Sequence, residues 1–250
     1  MYGWKGRIGL VIPASNTTIE PEFNQMAPEG VSIHASRAVL KDVTSSGLTD
    51  MEEEIYKAAS VIMAVGPSVI VVGCTTGSLI KGLGYDQKMI QKIKNITNVE
   101  VITTSTAVIE ALRSFKIAKV AVATPYTDEV NQRVKNFIDG HGFQVIQIKC
   151  LGYHKFEKSY PLASRPVSGI GLLDPSVAYN LARDVDTNKA DGIFISCTNF
   201  RTIEIIKALE DNLGKPVITS NQATMAMALG NMGIKEKVRG YGSLLDGSFF

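Results

Sequence analysis

The sequence predicts a parallel α/β fold in which two similar halves face each other across a cleft. Short, continuously apolar runs alternate with longer amphipathic stretches, the mark of strands buried on both faces and joined by helices. Three segments of the N-terminal part also recur in the same order in the C-terminal part. RIGLVIP, ending at Pro13, returns as KVAVATP, ending at Pro125; VIVVGCTTGS, around Cys74, returns as GIFISCTNFRT, around Cys197; VEVITTSTAVIEAL returns as KPVITSNQATMAMAL. One such match could be chance between apolar strands. Three in order, one with a cysteine in the same frame, indicate a duplicated unit with pseudo-twofold symmetry.

In chain order, strands are expected at 7–12, 31–35, 69–72, 99–103, 119–123, 144–149, 192–195 and 216–219. Amphipathic helices are expected at 51–64, 105–115, 127–140, 175–188 and 202–213. A further helix should start after Cys74, where Gly77 and apolar residues follow, and Gly82, Gly84, Tyr85 and Asp86 are read as closing it. Residues 151–175, rich in Gly, Pro and Ser, read as a long loop, either a lid over the site or a surface insertion. The expected division places 1–101 with 218–250 in one half and 102–217 in the other.

Composition narrows the function. With 250 residues, 45% of them hydrophobic and 20% charged, the chain can build a core without a disulfide or metal staple. A formal net charge of +2, with no basic run interleaved with aromatics, argues against nucleic-acid and membrane partners. The apolar run at 8–12 is too short for a signal peptide, and no stretch approaches the ~18 apolar residues of a membrane span, so a cytoplasmic location is the default. Three widely spaced cysteines suit a reducing compartment better than a disulfide framework. Three scattered histidines and the absence of Cys-x-x-Cys spacing make a metal centre a poor expectation. No dinucleotide fingerprint, phosphate loop or G-x-S-x-G elbow occurs, so no cofactor is expected.

The chemistry concentrates where the repeats end. In parallel α/β sheets ligands bind beyond the carboxyl ends of the strands. Pro13, Cys74, Pro125 and Cys197 all sit just after a strand, so both cysteines should enter one cleft from opposite sides. A cysteine at a helix start meets free N–H groups and the positive end of the helix dipole, which favour thiolate; this is expected of Cys74 and, by the repeat, of Cys197. Two thiols facing a substrate can exchange protons on its two faces, or one can add covalently while the other handles the proton. Cys150 lacks a helix-start frame and reads as structural. In the loop PASNTT, Ser15, Asn16, Thr17 and Thr18 can cap a helix or bind a carboxylate; four such residues in a row favour the second reading. Thr75, Thr76 and Ser78 beside the first cysteine suit carboxylate or oxyanion binding. Tyr126 is balanced between a carboxylate donor from the other half and a core-edge residue.

These motifs together resemble the aspartate/glutamate racemase superfamily, in the branch of maleate cis-trans isomerases and arylmalonate decarboxylase. PASNTTIEPE is similar to the isomerases' opening substrate loop, residues 105–137 to the middle of both enzymes, FISCTNF to the second cysteine motif, and GYGSLLD at 240–246 to the closing segment. The resemblance implies two Rossmann-like halves, each a short parallel sheet flanked by helices, with the active site between them. It implies Cys74 as the nucleophile, Cys197 as the opposing acid/base, and Pro13, Asn16, Thr75, Thr76, Tyr126 and Thr198 as substrate-binding residues. The decarboxylase carries glycine at the first cysteine position, so Cys74 implies isomerisation or racemisation over decarboxylation. The isomerases' Asp-Asn element after the sixth strand has no counterpart in LGYHKFEKSYPLASRPVSGIGLLDP, and Thr-Thr-Gly-Ser after Cys74 is closer to the decarboxylase. The expected function is a cofactor-independent isomerase of a small dicarboxylate, maleate-like. An acidic-substrate racemase, an arylmalonate-type decarboxylase and a non-catalytic carboxylate-binding protein are the alternatives. A homo-oligomer stays open.

Overall fold

The computed structural model describes residues 1–40, 44–153, 156–157 and 167–248. In chain order the first part holds β1 (Gly6–Pro13), α1 (Ile19–Met26), β2 (Val31–Ala38), α2 (Ser45–Asp50), α3 (Glu52–Ile62), β3 (Val69–Val72), α4 (Thr75–Leu79), α5 (Tyr85–Thr97) and β4 (Glu100–Thr103). Then come α6 (Thr104–Ser114), β5 (Lys119–Thr124), α7 (Asp128–Gly140), β6 (Gln144–Cys150), β7 (Phe156–Glu157) and β8 (Val167–Ser168). The chain continues through α8 (Pro175–Val185), β9 (Gly192–Ile195), α9 (Ile206–Leu213), β10 (Val217–Thr219) and α10 (Ser220–Asn231), and a π-helical turn follows at Leu244–Ser248.

The eight main strands form two parallel four-stranded sheets, in the orders β2-β1-β3-β4 and β10-β9-β5-β6. This is the two-half α/β architecture expected. β3 and β9, buried at every residue, are interior strands covered on both faces, whereas β2 is a half-exposed edge, and its sequence VSIHASRA is correspondingly mixed. The duplication is visible in the caps. Thr103 accepts from Thr106 N–H to start α6, and Thr219 accepts from Gln222 N–H to start α10 in the same frame. These two helices pack on each other, α6 reaching β10 and α10 reaching β3 and β4. α10 is therefore buried almost all round, which fits its composition of mostly small, uncharged residues with two methionines and a leucine. One core runs through both halves, joining Leu10 of β1 to Val122 of β5, and a smaller cluster lies behind the first sheet.

The dividing points read from the sequence, after Val101 and after Val217, fall inside β4 and β10. Each of these strands is hydrogen-bonded within one sheet, so the crossings we propose lie at the strand ends, after Thr103 and Thr219. Tyr85 and Asp86 do not close a helix: α4 ends before Gly82, and Gly84, at φ 75°, starts the 13-residue α5. The narrow stripe Tyr85, Met89, Ile93 is its only apolar face. No helix among the described residues is long and apolar enough to cross a membrane.

Candidate active site

Four strands of the two sheets deliver the site. Pro13 ends β1, Cys74 follows β3, Tyr126 follows β5 and Cys197 follows β9. These residues, with Asn16, Thr75, Thr76 and Thr198, line one cavity. The eight residues that the resemblance implies as catalytic or substrate-binding are thus brought together, whereas Ser78, also expected at the site, is fully buried and donates to Cys74 O and Thr75 O. Among the described residues, those lining the cavity include no Lys, Arg or His, and its polar lining is made of hydroxyls, thiols and amides.

Cys74 is the N-cap of α4: its Sγ accepts from Gly77 N–H at 3.3 Å. Cys197 differs from the expectation. No helix follows it until α9, and its own φ is 122°, a left-handed value that costs a non-glycine residue strain. The elbow is held by Cys197 N–H donating to Ser220 Oγ at 3.0 Å, while Asn199 N–H donates to the sulfur at 3.4 Å. The dipole argument therefore serves Cys74 only. Nor do these donors make resting thiolates. Burial pushes Cys74 up to about 11, against the opposing help of Gly77 N–H and the Thr76 hydroxyl. Burial pushes Cys197 up to about 12, against Asn199 N–H and Tyr126, with the charge of Cys74 adding to the rise. Desolvation outweighs the donors at each sulfur. Tyr126 is fully buried, and burial holds its phenol well above its ordinary value, so it acts as a donor.

The loop PASNTT divides its work. Asn16 Oδ1 accepts from Thr18 and Ile19 N–H, capping the entry to α1, while its Nδ2 donates to Thr198 Oγ1 at 3.0 Å. Thr198 Oγ1 in turn donates to Gly73 O. Thr17 and Thr18 are used against the other half: Thr17 N–H donates to Asn199 Oδ1, and Thr18 Oγ1 donates to Asn199 O. Capping and ligand-facing roles are thus shared within one loop. Cys150 donates to Asp128 Oδ1 and does not line the cavity. Of the loop read at 151–175, residues 154–155 and 158–166 lie outside the described residues. β7 and β8 pair as a hairpin, after which Ser168 and Ile170 line the cavity.

Sequence reasoning missed Ser220. Its Oγ accepts from Cys197 N–H and sits 2.8 Å from Thr75 Oγ1, tying both cysteine loops to the start of α10. The repeat VITT/VITS held the signal, since Ser220 occupies the frame of Thr104. Leu40, Leu48 and Ile170, the apolar wall of the cavity, carried no motif and were also missed.

Comparison with known proteins places this geometry. The maleate isomerase of Geobacillus stearothermophilus is 26% identical over 97% of this chain and 98% of its own. The arylmalonate decarboxylase of Bordetella bronchiseptica is 29% identical over 96% of this chain and 97% of its own. The crystal structure of a cysteine-to-alanine variant of maleate isomerase from Pseudomonas putida S16 with maleate superposes with a TM-score of 0.89 at 25% identity, covering 97% of this chain and 98% of that one. The profile of the arylmalonate decarboxylase family matches residues 8–245, and the chain belongs to that family.

Proposed function

We propose that this enzyme is a cofactor-independent cis-trans isomerase of a small, maleate-like dicarboxylate. The observation that carries the reading is the pair of cysteines lining one cavity from the ends of equivalent strands, β3 and β9, with hydroxyl and amide side chains beside them. Family membership and relatives that include maleate isomerases support a cysteine-based isomerase or decarboxylase. Cys74, where the decarboxylase carries glycine, supports the isomerase.

In the proposed cycle the site enters with one of the two thiol protons lost, and Cys74, the N-cap of α4 with its sulfur facing Gly77 N–H, carries the charge. The Cys74 thiolate adds to one olefinic carbon. The π pair moves to the neighbouring carbon, which takes the proton of Cys197. The central bond is then single and rotates. The Cys197 thiolate removes the proton, the double bond re-forms in the trans geometry, and Cys74 leaves as thiolate. Atoms and charge balance, and no cofactor is required. Asn16, Thr75, Thr76, Tyr126 and Thr198, with the Pro13 turn, would hold the carboxylates.

The apolar wall of Leu40, Leu48 and Ile170 favours one second reading, a substrate with an apolar substituent. With it the same thiols would racemise or decarboxylate an α-substituted acid. Proton NMR of maleate in D2O with reduced enzyme tests the first reading. A growing fumarate signal, absent with Cys74→Ala, is expected; unchanged maleate would overturn it and move the test to arylmalonates and acidic amino acids.

A further inference from the structure

Behind the second cysteine lies a buried carboxyl that the cycle above does not use. Glu22, on α1, is 3% exposed. Its Oε1 accepts from Thr202 N–H at 2.8 Å and Ile203 N–H at 3.4 Å, and its Oε2 accepts from Asn221 Nδ2 at 2.6 Å. The same Nδ2 donates its second proton to Thr198 O at 3.1 Å. Asn221 Oδ1 is buried with no hydrogen-bond partner among the described residues. Three donors on one carboxyl, and an amide that spends both protons while orphaning its oxygen, fit an ionised Glu22: a carboxylate only accepts, so Nδ2 must face it.

We propose that Glu22 is a positioning residue, whose carboxylate orients Asn221 and thereby sets the loop that carries Cys197 and Thr198. The proposal rests on the two-cysteine reading for its consequence in catalysis. When Glu22 takes a proton, its O–H needs an acceptor, and the one at hand is Asn221 Oδ1. The amide turns over, Oδ1 then faces Thr198 O, and the bond that held that carbonyl becomes a contact between two acceptors. The loop between the strained Cys197 and Ile203 loses its anchor. The charged groups around Glu22 do not override this. Glu204 lies on the same loop and raises it further, and Arg201 is paired with Glu204. On β2, Arg37 is paired with Glu20, and His34 meets Ser32 Oγ. α10 contributes no charged residue. Burial, larger than all three hydrogen bonds, raises Glu22 to about 7, which puts the change within the working range of a neutral enzyme.

The test compares wild type with Glu22→Gln, whose amide reproduces the protonated carboxyl. Log kcat/KM for maleate is followed from pH 5.5 to 9, together with hydrogen-exchange protection of the 197–205 segment, corrected for intrinsic rates. Wild type should change slope near pH 7: about tenfold per pH unit above it, from thiolate formation, and about a hundredfold per unit below it, from two ionisations. Glu22→Gln should lose the break, run at the shallower slope throughout, and show the loss in kcat more than in KM. Protection of 197–205 should fall in wild type as pH drops through 7 and stay low in the variant. A variant that keeps the break, or wild-type protection that does not change with pH, would overturn the proposal. Wild type alone supplies both readouts if the variant does not fold. If maleate is not turned over, the isomerase reading fails while the exchange data still decide the role of Glu22.

Discussion

Replacing each cysteine with glycine should have unequal effects on stability. Both side chains are buried, at 6% and 8% exposure, so each substitution removes a packed CH2–SH worth about 1 kcal/mol. Each also adds about 0.5–1 kcal/mol of unfolded-state freedom. For Cys74, at φ −145°, nothing offsets these losses, and the Gly77 N–H loses its acceptor as well, so Cys74→Gly should cost about 2 kcal/mol. Cys197→Gly likewise deprives Asn199 N–H of its acceptor, but at φ 122° it also releases a strain of about 1–3 kcal/mol. Cys197→Gly should therefore be close to neutral, leaving a gap of about 2 kcal/mol between the variants. At about 2–4 °C per kcal/mol for a chain of this size, that is about 4–8 °C in Tm. Urea denaturation at pH 7 with reducing agent measures it. Equal losses in the two variants would refute the claim that the second cysteine sits on a strained elbow.

Three further outcomes follow from the same structure. Glu22, raised from 4.5 to about 7, keeps its proton in the folded state where the unfolded chain has released it. Stability to global unfolding should therefore fall as pH rises from 4.5 through 7, by roughly 3 kcal/mol, opposite in sign to the local anchoring of the 197–205 loop by the carboxylate, and Glu22→Gln should lack this loss in pH-dependent urea melts. Ser220→Ala leaves Cys197 N–H buried without its acceptor, which should cost about 1–3 kcal/mol in the same melts and lower kcat/KM for maleate as the elbow relaxes. Because burial holds the two thiols near 11 and 12, kcat/KM should keep rising between pH 7 and 9, and a plateau below pH 8 would contradict resting thiols.

All eight main strands were legible in the sequence, the interior ones because strands buried on both faces must be continuously apolar, as VIVV and GIFI are, whereas the mixed, half-exposed edge β2 was read only over its first five residues. α1 was less legible: IEPEF carries Pro21 in its first turn, where the missing N–H costs nothing and a breaker reads as a stop. α5 was hidden by its polar surface and by glycines that open it instead of closing α4. At the site, residues in the repeated frames could be read, since symmetry placed Cys74 and Cys197 together before any coordinates did. Two properties could not. Thiol acidity depends on burial, which overrode the local donors, and the left-handed backbone at Cys197 depends on Ser220, far along the chain. Glu22 showed only a carboxylate in an acidic helix start, because its donors come from residues 202, 203 and 221.

The central claim, that Cys74 adds covalently while Cys197 handles the proton, is most directly tested by incubating reduced Cys197→Ser enzyme with maleate and mapping the modified peptide by mass spectrometry. The account predicts an adduct of the mass of maleic acid on the peptide carrying Cys74, absent from a Cys74→Ala, Cys197→Ser control. An unmodified Cys74 in an enzyme whose wild type converts maleate, or an adduct confined to Cys150, would contradict it.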